Sequence, residues 1–147
     1  MTKEEFVKEA YAAAVQSSEQ SGMPAMVTAA QAALESNWGQ SGLSREANNY
    51  FGIKAHAAQD RIVMRTNECE KGKQVVIAAA FAKYASMVEC FRYRDEIIAK
   101  SALYASARTK LGDETGFIKE IARHWATDPK YAEKLMAVLS EVKRMLQ

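Results

Sequence analysis

A run of small residues from Ala25 to Leu34 is the feature that most constrains how this chain can fold. Its alanines favour a helix with apolar sides, and Glu35, Trp38 and Gly39 follow closely after it. The helix therefore ends in a single carboxyl group, beside a bulky indole and a glycine that permits an abrupt chain reversal. Burial disfavours a charged carboxylate and raises its pKa. Because a glycosidase needs such a carboxyl group as its general acid, Glu35 is the first catalytic candidate.

The composition is that of one ordinary globular domain. The chain has 147 residues, of which 48% are hydrophobic and 26% charged, and a chain of this length can bury a core without a metal or disulfide staple. We therefore expect a single domain over residues 1–147. The formal net charge of +2 is too balanced to indicate a nucleic-acid partner.

The cysteines and histidines do not form a metal-binding pattern. Cys69 and Cys90 are the only cysteines, and we expect two free thiols, although an oxidising compartment would allow a disulfide. His56 and His124 are isolated in the sequence, and no CxxC or mixed His/Cys cluster is present. The sequence predicts no metal and no other cofactor.

The segment from Met1 to Val15 is charged and amphipathic. It lacks the apolar core of about 7–15 residues that a secretory signal requires. No stretch of the chain approaches about 18 consecutive apolar residues, so no membrane span is expected. These features lead us to expect a protein that is made in the cytoplasm without a signal peptide.

The periodicity predicts a mostly helical α+β domain with one inserted β-hairpin. Two segments rich in β-branched residues, Arg61 to Glu68 and Lys73 to Ala80, flank a turn at Glu70–Gly72 and form a hairpin lobe at about residues 60–80. Thr2 with Glu5, Ser86 with Glu89, and Asp128 before Pro129 mark helix starts. Helices are expected from Thr2 to about Gln20, from Pro24 to Glu35, at about Ser44 to Ala47, from Ser86 through Ile98, at about Asp113 to Arg123, and from Pro129 to about Met145.

Cleavage of a glycosidic bond needs a second group on the other side of the sugar. The carboxylate candidates are Glu46, Glu68 and Glu70. Glu68 and Glu70 flank Cys69 and point the same way if strand pairing extends that far. The substrate's own acetamide is the alternative to a protein carboxylate.

Aromatic and amide side chains could bind sugars. Aromatic residues at helical spacing usually belong to the core, so Trp38 and Trp125 are the strongest candidates for stacking on a sugar ring. Asn48 and Asn49 could bind hydroxyl or acetamide groups, or could simply form a turn. The predicted substrate-binding residues are Trp38, Asn49, Tyr50, Glu70, Trp125 and Tyr131.

Five segments, in order, resemble motifs of the glucosaminidase family of peptidoglycan hydrolases, which includes the flagellar rod-associated hydrolase and bacterial autolysins. Together they cover most of the chain from about Ala25 onward. The segments are Ala30–Gly39, which resembles the family's catalytic helix, Asn49–Lys54, Glu68–Gly72 at the hairpin tip, Phe81–Ser86, and Trp125–Ala132 with its Ala-Thr-Asp-Pro sequence.

The resemblance implies a lysozyme-like fold, with a helical lobe and a small β-hairpin lobe flanking a cleft for glycan strands. It implies hydrolysis of the β-1,4 bond after N-acetylglucosamine, with Glu35 at the position of the catalytic acid and Glu68 at that of the hairpin carboxylate. The aromatic residue before Ala-Thr-Asp-Pro is usually tyrosine in the family. Here it is Trp125, which has no hydroxyl but can stack and can donate through its indole N–H.

The sequence leaves several functions open. A muramidase or a lytic transglycosylase would share the fold and a helix-borne glutamate, and a non-catalytic glycan-binding module would keep only the cleft. A bacteriolytic enzyme of this type would be a type VI secretion effector, exported by a dedicated apparatus into a rival's periplasm and blocked in its producer by an immunity protein, or it would be a phage endolysin. We favour the effector.

Overall fold

The computed structural model describes the backbone of residues 1–147 and every side chain except that of Glu68. The first helix, α1, spans Lys3–Ser21, and the Thr2 hydroxyl caps it by accepting a hydrogen bond from the Glu5 backbone N–H at 3.1 Å. Gly22, with a φ of +72°, ends the helix in the left-handed conformation. The predicted start and end of this helix are confirmed.

The second helix, α2, spans Ala25–Ser36 and lies at the centre of the core. It is buried on all sides from Val27 to Ala33, and it packs against both α1 and the last helix of the chain. Such burial is possible because alanine side chains let neighbouring helices approach closely. The packing of α2 therefore fixes where Glu35, in its last turn, meets solvent.

The hairpin consists of β1, Arg61–Glu70, and β2, Lys73–Ala82, which pair antiparallel from Arg61↔Ala82 to Glu70↔Lys73. Lys71 and Gly72 form a two-residue turn with φ of 51° and 79°, the left-handed pair that matches the twist of a hairpin. Both strands run two residues beyond their predicted ends, so the pairing extends through positions 68 and 70. A bridge between Lys54 and Phe81 joins the base of the hairpin to the preceding loop.

The remaining elements complete the helical lobe. The cap at Ser86 is confirmed, since its hydroxyl accepts from the Glu89 N–H at 3.1 Å while the Glu89 carboxylate accepts from the Ala85 N–H. The elements are α3, Gly42–Ala47; α4, Met87–Lys100; a 3-10 turn, Ala102–Tyr104; α5, Ala105–Arg108; α6, Glu114–Trp125; and α7, Tyr131–Met145. In this lobe α4 packs on α1, and α6 packs on α5 and α7.

Two local predictions differ from the structure. The last helix begins at Tyr131 and not at Pro129, because Asp128 closes a turn in which its carboxylate accepts from the Lys130 N–H at 2.9 Å. The 3-10 turn and α5 were not predicted, because elements this short carry no full period of apolar residues.

The structure shows where the two cysteines lie and how apolar its helices are. Cys69 is exposed, Cys90 is buried and both thiols are free, as expected. Among the residues that the structure describes, no helix combines the length and the apolar character needed to cross a membrane. The predicted mostly helical α+β class with one hairpin is confirmed.

Candidate active site

Glu35 lies in the last turn of α2 and is partly buried. Burial raises the pKa of its carboxyl group above the ordinary value, and hydrogen bonding by the Tyr131 side chain opposes part of that rise. Glu35 therefore holds its proton to a higher pH than an exposed glutamate does. This is the direction that the sequence predicts for a general acid.

The chain reverses immediately after Glu35. Asn37, Trp38 and Gly39 all have positive φ, of 51°, 57° and 79°. The buried Ser36 hydroxyl holds this turn, since it donates to the Ala32 carbonyl at 2.6 Å and accepts from the Gly39 N–H at 2.8 Å. The reversal predicted at Gly39 is confirmed, and Ser36 is the residue that organises it.

Gly39 also permits a close approach between α1 and this turn. A Cβ atom built at Gly39 would lie 2.6 Å from Cδ2 of Phe6, much closer than packed carbon atoms can come. Any side chain at this position would have to push the buried Phe6 ring aside. The glycine therefore has a packing role in addition to its backbone conformation.

A chain of buried polar groups lies behind Glu35. The Tyr131 hydroxyl accepts a hydrogen bond from Nε2 of Gln31 at 3.1 Å, and Oε1 of Gln31 accepts from Nε and Nη2 of Arg94 at 2.9 and 2.8 Å. All three side chains are buried, and burial together with the nearby Glu35 charge raises the pKa of Tyr131. The Glu35 carboxyl group lies close enough to Tyr131 for each group to influence the pKa of the other.

Sequence reasoning missed Gln31 and Arg94. A signal for Arg94 was present, because Phe91, Arg94 and Ile98 follow the spacing of one helical face and all three are buried. A polar residue on such a face must find partners in the core.

Trp38 and Tyr50 lie on the wall of a cavity that Glu35 does not line. Only 8% of Trp38 is exposed, and Nζ of Lys3 lies 4.7 Å from its ring centroid. Both residues border a cavity of about 490 Å³ whose lining includes Phe6 but not Glu35. The structure thus places them beside α1, as walls of a neighbouring cavity.

Asn49 has a structural role. It is 1% exposed; its amide nitrogen donates to the carbonyls of Ile53 and Ala82 at 2.8 and 2.9 Å, and its oxygen accepts from the N–H groups of Phe51 and Ile53. These four bonds use the whole amide, so nothing is left for a sugar. Contrary to the prediction of a substrate-binding residue, Asn49 ties its loop to β2.

The other predicted site residues whose side chains the structure describes, Trp125 and Glu70, reach solvent at least in part. Trp125, at the end of α6, is partly exposed and packs against Phe51 and Tyr104 at centroid distances of 6.1 and 6.2 Å. Glu70 is exposed at the hairpin tip. The backbone of Glu68 pairs with Val75, and its side chain lies outside the described residues.

The positions of the acidic and histidine side chains bear on whether the described part of the chain could hold a metal ion. Among the side chains that the structure describes, no three His, Cys, Asp or Glu residues are grouped as metal ligands would be. The site described so far consists of one desolvated carboxyl group with a polar chain behind it.

A helical domain with a single hairpin and a desolvated carboxyl group at the end of its buried helix has the organisation of a lysozyme-like glycoside hydrolase. The family model described as mannosyl-glycoprotein endo-beta-N-acetylglucosaminidase matches residues 11–144. The chain belongs to this glucosaminidase family, and the predicted resemblance is confirmed.

Curated relatives match over most of this chain. The exo-glucosaminidase LytG of Bacillus subtilis is 37% identical over 120 residues, which is 78% of this chain and 43% of LytG. The peptidoglycan hydrolase FlgJ of Salmonella typhimurium is 37% identical over 134 residues, which is 87% of this chain and 42% of FlgJ. The chain thus spans less than half the length of these relatives.

Solved structures share the fold. The catalytic domain of the autolysin Auto from Listeria monocytogenes superimposes with a TM-score of 0.86 at 29% identity, covering 99% of this chain and 88% of that one. A type VI secretion system effector–immunity complex from Pseudomonas protegens gives 0.69 at 22% identity, covering 98% and 93%, which shows the fold alone. The predicted lysozyme-like fold is confirmed.

The raised pKa of Glu35 predicts how Glu35→Gln changes stability with pH. Because the folded-state pKa lies above the unfolded value, the native state binds more protons between the two values, and the Glu35 contribution to stability falls as pH rises through that range. We expect Glu35→Gln to be more stable than the parent at pH 7, with the difference vanishing well below the unfolded-state pKa.

Urea unfolding midpoints at pH 3.5 and pH 7 measure this difference. Glu46→Gln, which removes an exposed carboxyl group from α3, is the matched control. A Glu35→Gln variant that is less stable than the parent at pH 7 would contradict the burial argument.

Proposed function

We propose that this domain hydrolyses the β-1,4 bond after N-acetylglucosamine in peptidoglycan, with Glu35 as the general acid. The observation that carries the proposal is the partly buried Glu35 carboxyl group, whose pKa is raised by burial, at the end of the central helix. The family match and the name of LytG, an exo-glucosaminidase, support cleavage beside N-acetylglucosamine, and the name of FlgJ, a peptidoglycan hydrolase, supports peptidoglycan as the substrate.

In this mechanism Glu35 enters the reaction protonated and gives its proton to the glycosidic oxygen as that bond breaks. The carboxylate that forms is stabilised by the adjacent Tyr131 side chain. In the free protein, hydrogen bonding by Tyr131 already offsets part of the rise that burial causes in the pKa of Glu35. Trp125, with its partly exposed indole, is proposed to stack on a sugar ring, and Glu70 to contact the glycan from the hairpin.

Replacement of Glu35 by glutamine tests the general acid. Glutamine keeps the shape but has no transferable proton, so release of new reducing ends from purified peptidoglycan should fall by roughly 10²–10⁴-fold. The parent should lose activity as pH rises through the raised pKa of Glu35, because the acid must be protonated. Turnover close to that of the parent would remove Glu35 from the mechanism.

Product analysis by mass spectrometry separates the rival enzymes. Reducing N-acetylglucosamine ends are expected for the proposed activity. Reducing N-acetylmuramic acid ends would indicate a muramidase, and anhydro-muramic ends a lytic transglycosylase. Binding of glycan without any product would indicate a non-catalytic module.

Glu68 is proposed as the second carboxylate, which orients or deprotonates the attacking water. The support is its place in the hairpin, whose pairing extends to Glu70↔Lys73, together with the family motif at the hairpin tip. The hairpin would close over the glycan to bring this position within reach, as cleft-lining loops commonly do.

Three matched substitutions test this assignment. We expect Glu68→Gln to lower turnover more than Glu70→Gln, and Glu70→Gln more than Glu46→Gln, whose carboxyl group lies on α3. The anomer released first, read by NMR, reports inversion or retention. Equal turnover in all three variants would favour the substrate's acetamide as the internal nucleophile and exclude Glu68 as the base.

The biological role that we favour is an antibacterial effector that acts in a rival's periplasm, with an immunity protein over the cleft of the producer's copy. The support is the shared fold with the effector of the Pseudomonas protegens complex, which an immunity protein binds. The alternative is a phage endolysin.

Directed expression tests the target compartment. The domain fused to a periplasmic signal peptide should lyse Escherichia coli, whereas the cytoplasmic form should not, since peptidoglycan lies outside the inner membrane. Glu35→Gln in the periplasm is the matched control and should be tolerated. Equal toxicity in both compartments would contradict a wall target, and rescue by a co-expressed neighbouring gene would distinguish an effector from an endolysin.

A further inference from the structure

A buried ion pair on α4 anchors the polar chain behind Glu35. Arg94 is fully buried and Asp95 is 2% exposed, and Nη1 of Arg94 donates to Oδ1 of Asp95 and to Oγ1 of Thr28 at 2.8 and 2.9 Å. The other Asp95 oxygen accepts from the hydroxyls of Ser17 and Ser21. The guanidinium is therefore held in one orientation from several sides.

The chemistry of these groups fixes the direction of the hydrogen bonds from Arg94 through Gln31 to Tyr131. A guanidinium can only donate, so the Gln31 atom between Nε and Nη2 of Arg94 must be the amide oxygen. The amide nitrogen then faces Tyr131 and can only donate, so the Tyr131 hydroxyl accepts. The Gln31 N–H occupies one lone pair of the Tyr131 oxygen, so the phenolic proton points away from Gln31, and the Glu35 carboxyl group is the neighbouring group that can accept it.

We propose that Arg94 is a positioning residue that acts through Gln31 to direct the Tyr131 hydroxyl proton toward Glu35, so that Tyr131 donates to the carboxyl group. This inference rests on the proposed function of Glu35 as general acid. The carboxyl oxygen that accepts from Tyr131 is then not the one that carries the transferable proton. That proton sits on the other oxygen, where it is available to the glycosidic bond.

Reversed polarity would harm catalysis. If the phenolic proton turned away from Glu35, protonated Glu35 would donate inward to the phenol oxygen, and the acid would enter the reaction with its proton on the wrong side. The charged or titratable groups of this buried polar row are Glu35 on α2, Arg94 and Asp95 on α4, and Tyr131 on α7. The Arg94 charge also acts on the pKa of Tyr104 in the 3-10 turn, which it lowers against the effect of burial.

The decisive variant is Gln31→Glu. It retains an oxygen for Arg94 and places a second acceptor oxygen where the amide nitrogen was, so the Tyr131 hydroxyl turns to donate to residue 31 and no longer to Glu35. We expect kcat on peptidoglycan fragments to fall at least tenfold with little change in KM. The alkaline limb of the kcat–pH profile should move to higher pH, because Glu35 loses the donor that stabilises its anion.

The new carboxylate also raises the pKa of Glu35 by its charge, and a Tyr131→Phe background separates the two effects. Without the phenol, Gln31→Glu retains only the charge effect, so we expect it to change kcat by less than twofold relative to Tyr131→Phe alone. An equal loss of kcat in both backgrounds would overturn the inference.

Arg94→Met provides a second test, provided circular dichroism shows that it folds. It frees the Gln31 amide to rotate and should lower kcat toward the value of Tyr131→Phe, whereas Arg94→Lys keeps a donor and should restore part of the loss. Arg108→Met is the matched control. Arg108 donates to the carbonyls of Ile98 and Ser101 and makes no hydrogen bond to Arg94, Gln31 or Tyr131. It should leave the pH profile in place.

Glu35→Gln, measured alongside, separates the two levels of failure. Activity that survives Glu35→Gln would overturn the proposed function. If Glu35→Gln is inactive but Gln31→Glu keeps the parent's kcat and pH profile, only the role assigned to Arg94 is wrong.

Discussion

The close approach of α1 and α7 to the alanine-rich helix α2 is the constraint on which the rest of the structure depends. Ala30 and Ala33 are essentially fully buried, and their small side chains let the neighbouring helices approach α2 closely. Since α7 carries Tyr131 and α2 carries Gln31 and Glu35, the same packing distance sets the spacing within the polar chain. A larger side chain at a buried alanine of α2 would force shifts of the side chains and helices packed on it.

The buried pair of Arg94 and Asp95 is hard to explain by stability alone. Removing both charges from water costs several kcal/mol per ion, and well-packed apolar residues of the same volume are often equally stabilising, whereas removal of one partner costs about 3–5 kcal/mol. What an apolar pair could not supply is a set of donors with a fixed direction. The guanidinium also lies over the Phe51 ring at 5.7 Å, and Phe51 packs on Trp125, so one buried cation supports both sides of the proposed site.

Features that depend on residues close together in the sequence could be predicted from the sequence. Helix caps at Thr2 and Ser86, the β-hairpin and the candidate acid Glu35 all follow from neighbours within a few residues, and all are found where expected. The chain from Arg94 to Glu35 joins residues far apart in sequence, and no local pattern pairs them. Asn49 was misassigned for the same reason, because the carbonyl of Ala82 that occupies its amide belongs to a distant strand.

The strained turn after α2 reconciles two requirements on Glu35 that conflict. A raised pKa requires that water be excluded from one side of the carboxyl group, while proton transfer to a polymer requires that the other side be open. Another turn of helix would cover that open side. Instead the chain leaves the helix through left-handed Asn37 and Trp38, at a cost of about 1–2 kcal/mol per residue relative to the right-handed conformation. The hydrogen bonds of Ser36 and the contact of Gly39 with Phe6 offset that cost, so the strain keeps the acid both partly desolvated and accessible.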